Sequence, residues 1–387
     1  MLFRISYLLV FIINIYFLLV PQWRGSSFWQ KYPDVESFSN EYLWLKLISN
    51  FILICITITS LNSRRIRQIN NIIVEKRFPF VLLFFAFLSS LIVNHASAGI
   101  FALIAMPLNY MAFYLKPKVN IFNMNTLIII ILIIWIVAPV VDYYFFSNSY
   151  RQSLFYTSSS GGFDDNDFSG YAIHKNIYGY VCGILFVILM VSRVKTAVRI
   201  TLSVIVVFCI LFSGCRSALV AIVGTVIFRY YFNKSTKLFR KPSIIKSVVL
   251  ILLLILLLII AVIILQKFSI FDDPARLLIY DYFFNIITDN IFFGVGETVL
   301  YKDDPAHNFI LQIIADYGMF VFIAFVYVIY CIYKQSTIAG RLFIIYFLII
   351  SLFQPTLSVS IPNNITVVLL LLPLFIKENT VQSIIKS

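Results

Sequence analysis

Long apolar stretches follow one another along this chain, and short polar segments separate them. A helix needs about 20 apolar residues to cross the hydrocarbon core of a bilayer, where every backbone amide must find its hydrogen-bond partner within the protein. The pattern predicts an all-α polytopic membrane protein in which residues 1–387 form a single transmembrane domain. Its twelve predicted spans are 2–20, 43–60, 78–94, 98–115, 121–141, 177–192, 198–213, 217–232, 247–266, 309–333, 341–357 and 363–376.

Composition agrees with this interpretation. Hydrophobic residues make up 61% of the chain and the mean hydropathy is +0.95, whereas soluble domains contain roughly 45–50% apolar residues. The five cysteines are odd in number and fall mostly within predicted spans, so they predict no disulfide framework. No small-residue cleavage site follows residues 2–20, and we interpret this stretch as a retained first helix rather than a signal peptide.

The distribution of lysine and arginine predicts the orientation. If the N-terminus is cytoplasmic, the inner segments hold 21 of the 30 basic residues, and the outer segments hold 9 basic residues against 14 acidic ones. Cytoplasmic connections carry such an excess, so both termini are predicted to be cytoplasmic. The formal net charge of +13 then reports topology and contact with anionic inner-leaflet lipid, and it gives no reason to expect nucleic-acid binding.

Three outer connections are long enough to hold a site: 21–42, 142–176 and 267–308. The second is rich in Ser, Gly and Asp, which predicts a mobile loop. In the third, apolar residues recur at helical spacing from Asp273 to Asp289, which predicts a short amphipathic helix on the membrane surface.

His307 and Asn308 stand directly before the tenth predicted span. Asn308 suits a helix N-cap, which would leave His307 as a ring at the interface. The alternative is chemical, because neutral imidazole is well matched to proton transfer near neutral pH. Asp316 lies about two helical turns further on, where an ionisable group costs on the order of several kcal/mol unless it is paired or hydrated. A hydrated position and a role in the site both fit Asp316.

Two arginines are predicted on the outer side, against the positive-inside bias. Arg216 lies in a tight turn, where it can either extend to lipid phosphates or direct its planar fork of donors at a phosphate ligand. Arg276 begins the amphipathic segment, where it can pair with Asp272 or Asp273 or form a second contact to the same anion.

His174 and Lys175 end the second outer loop. Lys175 either marks the membrane interface or adds positive charge beside the arginines, whereas His95 in its short turn is interpreted as structural. Motifs for nucleotide binding, zinc, nucleophilic catalysis and an acidic metal site are missing. The chemistry that remains is displacement of an activated phosphate leaving group by a hydroxyl, with no cofactor and no metal.

The order of these motifs resembles a known family. Over roughly residues 170–330, the segments are Ser213-Gly214-Cys215-Arg216, Ala275-Arg276-Leu277, Gly294-Val295-Gly296 and His307-Asn308. They resemble the O-antigen polymerase and O-antigen ligase superfamily, which are bacterial inner-membrane glycosyltransferases with a helical bundle of the GT-C type. The resemblance implies a glycan donor on undecaprenyl pyrophosphate, a periplasmic active site, and transfer without metal or nucleotide. The main periplasmic loops are then predicted to be 142–176 and 267–308.

The resemblance also implies residue roles. We expect Arg216, Arg276 and His307 to be catalytic, the arginines on the pyrophosphate and the histidine on the acceptor hydroxyl. Beside the resemblance, the positions of Lys175, Asn308, His174 and Asp316 in the sequence lead us to expect that these residues bind substrate.

Three functions stay open at this point: a polymerase that extends a lipid-linked repeat unit, a ligase that transfers the glycan to lipid A-core, and a flippase for the same lipid-linked sugars. The compact 267–308 loop favours the polymerase. Ionisable residues well inside spans are few, chiefly Lys46 and Asp316, which favours an enzyme over a transporter. The expected partners are the lipid-linked oligosaccharide and membrane lipids, and a chain-length regulator and a flippase stay open as partner proteins.

Overall fold

The structure, a computed structural model, describes residues 2–19, 35–62, 70–95, 100–115, 124–145, 155–156, 167–168, 175–192, 194–238, 274–302, 305–353, 368 and 370–372. Most of these residues are helical. The helices are α1 (Leu2–Leu19), α2 (Val35–Asn62), α3 (Asn70–Val93), α4 (Ile100–Leu115), α5 (Met124–Ile131), α6 (Ala138–Phe145), α7 (Lys175–Val191), α8 (Thr196–Phe212), α9 (Arg216–Leu238), α10 (Pro274–Asp289), α11 (Phe309–Gln335) and α12 (Ile338–Ser351), and a π-helical segment (Leu132–Val137) joins α5 to α6.

Helices lie at the first eight predicted spans and at the tenth and eleventh. The ninth span, 247–266, lies outside the described residues, and the twelfth is described only at 368 and 370–372. Within the described residues, one helix, Phe309–Gln335, is both long enough and apolar enough to cross a membrane, and the other apolar helical stretches have 10–17 residues. The structure therefore shows a helical protein, and twelve crossings stay a prediction.

The second outer loop contains a short antiparallel pair that an all-α fold does not predict. Strand β1 (Phe155–Tyr156) pairs with strand β2 (Asp167–Phe168). The buried ring of Phe168 lies 5.1 Å from the ring of Tyr178 on α7 and 5.5 Å from the ring of Phe212 at the end of α8. The described part of this loop is thus attached to the bundle beside the turn that leads to α9.

Buried polar side chains join the N-terminal helices. Asn14 on α1 donates to Oγ of Ser49 on α2 at 2.9 Å, and Asn109 on α4 donates to Oδ1 of Asn50 on α2 at 2.6 Å. Hydrogen bonds of this kind hold helices together in lipid, where burial of apolar surface between helices gives little driving force.

The helices α7, α9 and α12 pack closely against one another. A Cβ atom added at Gly183 of α7 would overlap the hydroxyl of Tyr346 on α12 at 1.8 Å, and that hydroxyl donates to the carbonyl oxygen of Tyr180 at 3.1 Å. Small residues allow helix backbones to approach in this way. On the other side of the bundle, α11 packs against α3.

Helix α11 is broken at Gly318, where φ is 87° and ψ is 173°. The ring centroids of Phe309 and Phe322 lie 6.3 Å apart, although their thirteen-residue separation in a straight helix would be about 20 Å. The first segment (309–317) therefore bends towards the second (319–335). This corrects the prediction of one continuous span over 309–333, and it places Asp316 in a short segment before the break.

Candidate active site

Segment 290–302 is hydrogen-bonded to the break in α11. The N–H groups of Val295 and Gly296 donate to the carbonyl oxygens of Ala315 and Asp316 at 3.0 and 2.7 Å. Beyond the break, the N–H of Met319 donates to the carbonyl oxygen of Ile291 at 2.9 Å. These contacts satisfy backbone groups that a broken helix would otherwise leave unpaired.

Two glycines permit this close approach. Gly294 and Gly318 both have positive φ, 62° and 87°, a region that residues with a side chain rarely adopt. An added Cβ would lie 2.5 Å from the backbone nitrogen of Tyr317 at Gly294, and 2.2 Å from the carbonyl oxygen of Phe292 at Gly318. Both positions therefore require glycine.

Gln312 and Asp316 hold the following stretch of the outer loop against α11. The Gln312 Nε2 atom donates to Oδ1 of Asp316 at 2.8 Å and to the carbonyl oxygen of Val299 at 2.9 Å, while the N–H of Val299 donates to the same Asp316 oxygen at 2.8 Å. Gln312 Oε1 accepts from the N–H of Ala306 at 2.8 Å. Both side chains are 6% exposed, so these bonds are shielded from water.

His307 lies directly after that contact in a left-handed backbone conformation, with φ of 52°. A non-glycine residue in this region carries strain, and such residues cluster at functional sites. The preceding Ala306 is held by Gln312, and the following Asn308 caps α11 by accepting from the N–H groups of Ile310 at 2.9 Å and Leu311 at 3.4 Å. The backbone of His307 is thus fixed on both sides.

The predicted N-cap role of Asn308 is confirmed by these bonds. Contact of Asn308 and Asp316 with substrate stays a prediction. Their hydrogen bonds show that both side chains position the segment that carries His307.

Arg276 is the third residue of α10, one helical turn before Ile279. Ile279 belongs to a small apolar cluster that joins α10 to the His307 segment, together with Phe283, Val299, Ala306 and Ala315. A helix is therefore present over the predicted segment and packs through this cluster against the segment that carries His307, while its place on the membrane surface stays a prediction. The position of the Arg276 guanidinium lies outside what the structure describes.

Lys175 and Arg216 are the first residues of two adjacent helices, α7 and α9. The turn before Arg216 contacts the start of α7, because the Cys215 thiol donates to the carbonyl oxygen of Asn176 at 3.6 Å. Burial raises the pKa of that thiol, while a hydrogen bond with Ser217 and the positive charge of Lys175 act in the opposite direction. The structure thus brings Lys175 close to the Arg216 turn.

Gly179 makes this contact possible. An added Cβ at Gly179 would lie 2.3 Å from Cβ and 2.7 Å from Sγ of Cys215. Directly after Arg216, the hydroxyl of Ser217 lies 3.2 Å from that of Tyr180 and joins the same two helices.

The charges at these two helix starts are unusual. The N-terminus of a helix carries a partial positive charge, so acidic residues are favoured there and basic residues are disfavoured. Neither α7 nor α9 has an acidic residue in its first turn, and each begins with a cation. This arrangement favours a bound anion, since the helix ends and both side chains would then act on it together.

An apolar cavity of about 360 Å³ begins beside the His307 segment. Phe309 lines it together with Phe228 of α9, residues of the second segment of α11 and Ile344, Ile345 and Leu348 of α12. Apart from the tyrosine hydroxyls of Tyr330 and Tyr333, its lining side chains are hydrocarbon. The cavity suits an apolar chain.

The predicted site residues fall into two groups. Lys175 and Arg216 lie together, and His307 and Asn308 lie with Asp316 beside α10, whose third residue is Arg276. Convergence of the two groups on one substrate stays a prediction, and His174 lies outside the described residues. In the part of the chain that the structure describes, no group of three or more His, Cys, Asp or Glu side chains could hold a metal ion.

Sequence reasoning missed Gln312, which makes three of the bonds in this site. Its signal was present, because Gln312 and Asp316 are an i, i+4 polar pair on an otherwise apolar helix face.

A comparison with protein-family models matches residues 201–326 to the O-antigen ligase family. No curated protein matches the chain. The matched range contains Arg216, Arg276, Gly294 and the His307-Asn308 pair, which lie in the motifs that carry the resemblance. The match gives no support to a flippase. It supports a membrane protein with an enzymatic role in polysaccharide biosynthesis, and over this range the chain is similar to the superfamily of O-antigen polymerases and ligases.

Proposed function

We propose that this chain is an O-antigen polymerase, which joins undecaprenyl-pyrophosphate-linked oligosaccharide repeat units at the periplasmic face of the bacterial inner membrane. The observation that carries this proposal is the position of Lys175 and Arg216 at the starts of two adjacent helices. Two cations at two positive helix ends favour the binding of a multiply charged anion, and pyrophosphate has that charge. The planar guanidinium can also bind its oxygens in a bidentate manner.

In the proposed reaction, a hydroxyl oxygen of the acceptor sugar forms a bond to the anomeric carbon of the donor glycan. The bond from that carbon to the pyrophosphate oxygen breaks, and its electron pair leaves with undecaprenyl pyrophosphate. Arg216 and Arg276 stabilise the negative charge on the leaving group. His307 accepts the proton of the attacking hydroxyl, and no metal or other cofactor takes part.

The remaining predicted residues support this reaction. Lys175 adds charge beside Arg216, and we expect His174 to contact the donor from the adjoining position. Asn308 and Asp316 contribute by fixing the backbone of His307, which the cap and the Gln312 bonds support. The apolar cavity beside Phe309 suits the polyprenyl chain of the donor.

An O-antigen ligase is the second candidate, in which the same donor glycan is transferred to lipid A-core. The description of the matching family model favours it. The compact 267–308 loop favours the polymerase, because the larger acceptor of a ligase needs more outer surface. In either case both termini are cytoplasmic, and a flippase and a chain-length regulator are the expected partner proteins.

The test is the surface-polysaccharide banding of cells that lack this gene and express either the wild-type chain or a variant. A single repeat unit on lipid A-core in the deletion identifies a polymerase, whereas bare core with long glycan on its lipid carrier identifies a ligase. Arg216→Ala, Arg276→Ala and His307→Ala should each fail to restore the wild-type pattern. Unchanged banding in the deletion would contradict both candidates.

His95→Ala is the matched control for the histidine. His95 is exposed and has a φ of 53°, close to the 52° of His307, but it lies in the turn after α3. His95→Ala should restore wild-type banding. If His95→Ala and His307→Ala both fail to restore the banding, the substitution of a residue in a strained turn, rather than the loss of the His307 ring, explains the effect.

A further inference from the structure

A second pair of arginines lies at the other end of the helices that carry Lys175 and Arg216. Arg229 is thirteen residues beyond Arg216 on α9, which is about 20 Å along the helix axis. Arg199 lies in the first turn of α8. In the predicted orientation this end of the bundle is cytoplasmic, so the pair belongs to a different face of the membrane from the proposed active site.

Both arginines line one cavity of about 470 Å³. This volume falls within the range of ligand sites, roughly 300–1,000 Å³. Its other lining residues are Phe186, Met190, Ile200, Ser203, Val204 and Val207. None of these described lining residues is acidic, so the two positive charges share a wall that is otherwise almost entirely apolar.

Arg229 binds the end of α7 with only part of its guanidinium group. One of its Nη1 hydrogens binds the carbonyl oxygen of Met190 in the last turn of α7. A guanidinium carries five N–H groups, so the others are available for a second ligand. A role at the end of α7 does not explain Arg199, which lies near the positive end of α8, where a cation is disfavoured.

The apolar wall of the cavity faces outward. Ile200 and Val204 are 58% and 62% exposed, and in a membrane protein side chains of this kind contact lipid rather than water. A ligand of this cavity must therefore combine an anionic group with a hydrocarbon body and enter from the bilayer.

We propose that this cavity binds an anionic phospholipid of the inner leaflet, with the lipid phosphate on Arg199 and Arg229 and an acyl chain along Ile200 and Val204. The zwitterionic phospholipids carry the same phosphate, but their ammonium group brings a further positive charge towards the arginines. The site therefore prefers lipids with net negative charge. It lies outside the proposed transfer reaction and does not depend on the choice between polymerase and ligase.

The test is native mass spectrometry of the full chain from nanodiscs that contain phosphatidylcholine and phosphatidylglycerol. The wild-type chain should retain phosphatidylglycerol in preference to phosphatidylcholine. Arg199→Gln should reduce the retained phosphatidylglycerol by about tenfold, because one charge-assisted hydrogen-bonding partner is lost. Equal retention of both lipids by the wild-type chain would overturn the proposal.

Lys195→Gln is the matched control, since Lys195 is exposed, precedes the same helix and does not line the cavity. It should retain phosphatidylglycerol as the wild-type chain does. If it loses as much lipid as Arg199→Gln, general positive charge at the surface explains the binding and the proposal fails.

Ser203→Trp fills the cavity and keeps both arginines, so it tests the site without removing the bond between Arg229 and Met190. This variant should retain less phosphatidylglycerol than the wild-type chain does, at an unchanged melting temperature. Added inorganic phosphate should not displace the lipid from the wild-type chain. Displacement by phosphate alone would show an anion site without a lipid chain, which contradicts the proposal.

Discussion

Gln312 and Asp316 lie one turn apart on the first segment of α11, and the amide Nε2 of Gln312 donates to Oδ1 of Asp316 at 2.8 Å. Because Val299 donates to the same oxygen and Ala306 donates to Gln312, this pair holds the outer loop at two places. The second place is the residue directly before His307. A buried polar pair on a helix thus determines where the candidate catalytic histidine lies.

Asp316 should act through hydrogen bonding rather than through its charge. Asp316→Asn keeps an acceptor at the Oδ1 position, so this variant should retain most of its activity. Asp316→Leu removes the acceptor and leaves the N–H of Val299 unpaired in a buried site, at a cost of about 1–3 kcal/mol in the free energy of unfolding. Banding in complemented cells and thermal unfolding of the purified chain measure the two effects. Loss of activity in Asp316→Asn with unchanged stability would instead support direct contact of the carboxylate with substrate.

Gln312→Leu should reduce activity at least as strongly as Asp316→Leu. It removes the hydrogen bonds to the carbonyl oxygen of Val299 and to the N–H of Ala306 together. A leucine at this position is compatible with the backbone of α11, so the effect comes from the lost bonds. Because both variants disrupt one network, their effects should not add in the double variant. Additive losses of stability in a double-mutant cycle would show that the two side chains act independently.

Gly318→Ala should destabilise the site. Its φ of 87° and the 2.2 Å approach to the Phe292 carbonyl oxygen leave no room for a Cβ atom. We expect a loss of at least about 1–3 kcal/mol in the free energy of unfolding, together with loss of activity.

Gly224→Ala is the control for that substitution. Gly224 lies within α9, and its added Cβ would contact the terminal Cδ1 of Ile349 at 2.5 Å, which a flexible side chain can relieve. Thermal unfolding in detergent should show a smaller change than for Gly318→Ala. Equal melting temperatures in the two variants would contradict a close approach between Gly318 and the carbonyl oxygen of Phe292.

Gly179→Ala should displace the turn before Arg216. The added methyl group overlaps Cβ and Sγ of Cys215, so the start of α9 must move away from Lys175. We expect activity to fall by about tenfold or more, because displacement of a charged group by 1 Å has large effects on catalysis.

The double variant Gly179→Ala with Cys215→Gly removes the overlap and should recover part of that activity. The measurement is a double-mutant cycle on the rate of glycan transfer. If Cys215→Gly gives no recovery, the contact between these two residues does not position Arg216.

The positions of the helices could be predicted from the sequence because continuous apolar stretches depend only on local composition. The N-cap at Asn308 and the helix of the third loop could also be predicted, because each depends on the residue types within one short segment. The break at Gly318 could not, because a single glycine is compatible with a continuing helix. It arises from hydrogen bonds to Ile291, Val295 and Gly296, more than twenty residues away in sequence.

The strand pair in the second loop and the strained backbone of His307 are further features that local patterns do not specify. Phe168 is buried because Tyr178 and Phe212 surround it, and His307 adopts positive φ because its two neighbours are held elsewhere. Both depend on contacts between distant segments.

In the proposed reaction the His307 ring, rather than the turn that holds it, accepts the proton of the attacking hydroxyl. The most direct measurement is glycan transfer by the purified chain in nanodiscs supplied with a lipid-linked repeat unit, comparing the wild-type chain with His307→Gly. Glycine accepts the left-handed backbone at this position without strain, so the variant removes the ring and keeps the turn. We expect lipid-linked oligomers from the wild-type chain and a loss of about 100-fold or more in the transfer rate of His307→Gly at unchanged melting temperature. Wild-type oligomer formation by His307→Gly would contradict this role of the ring.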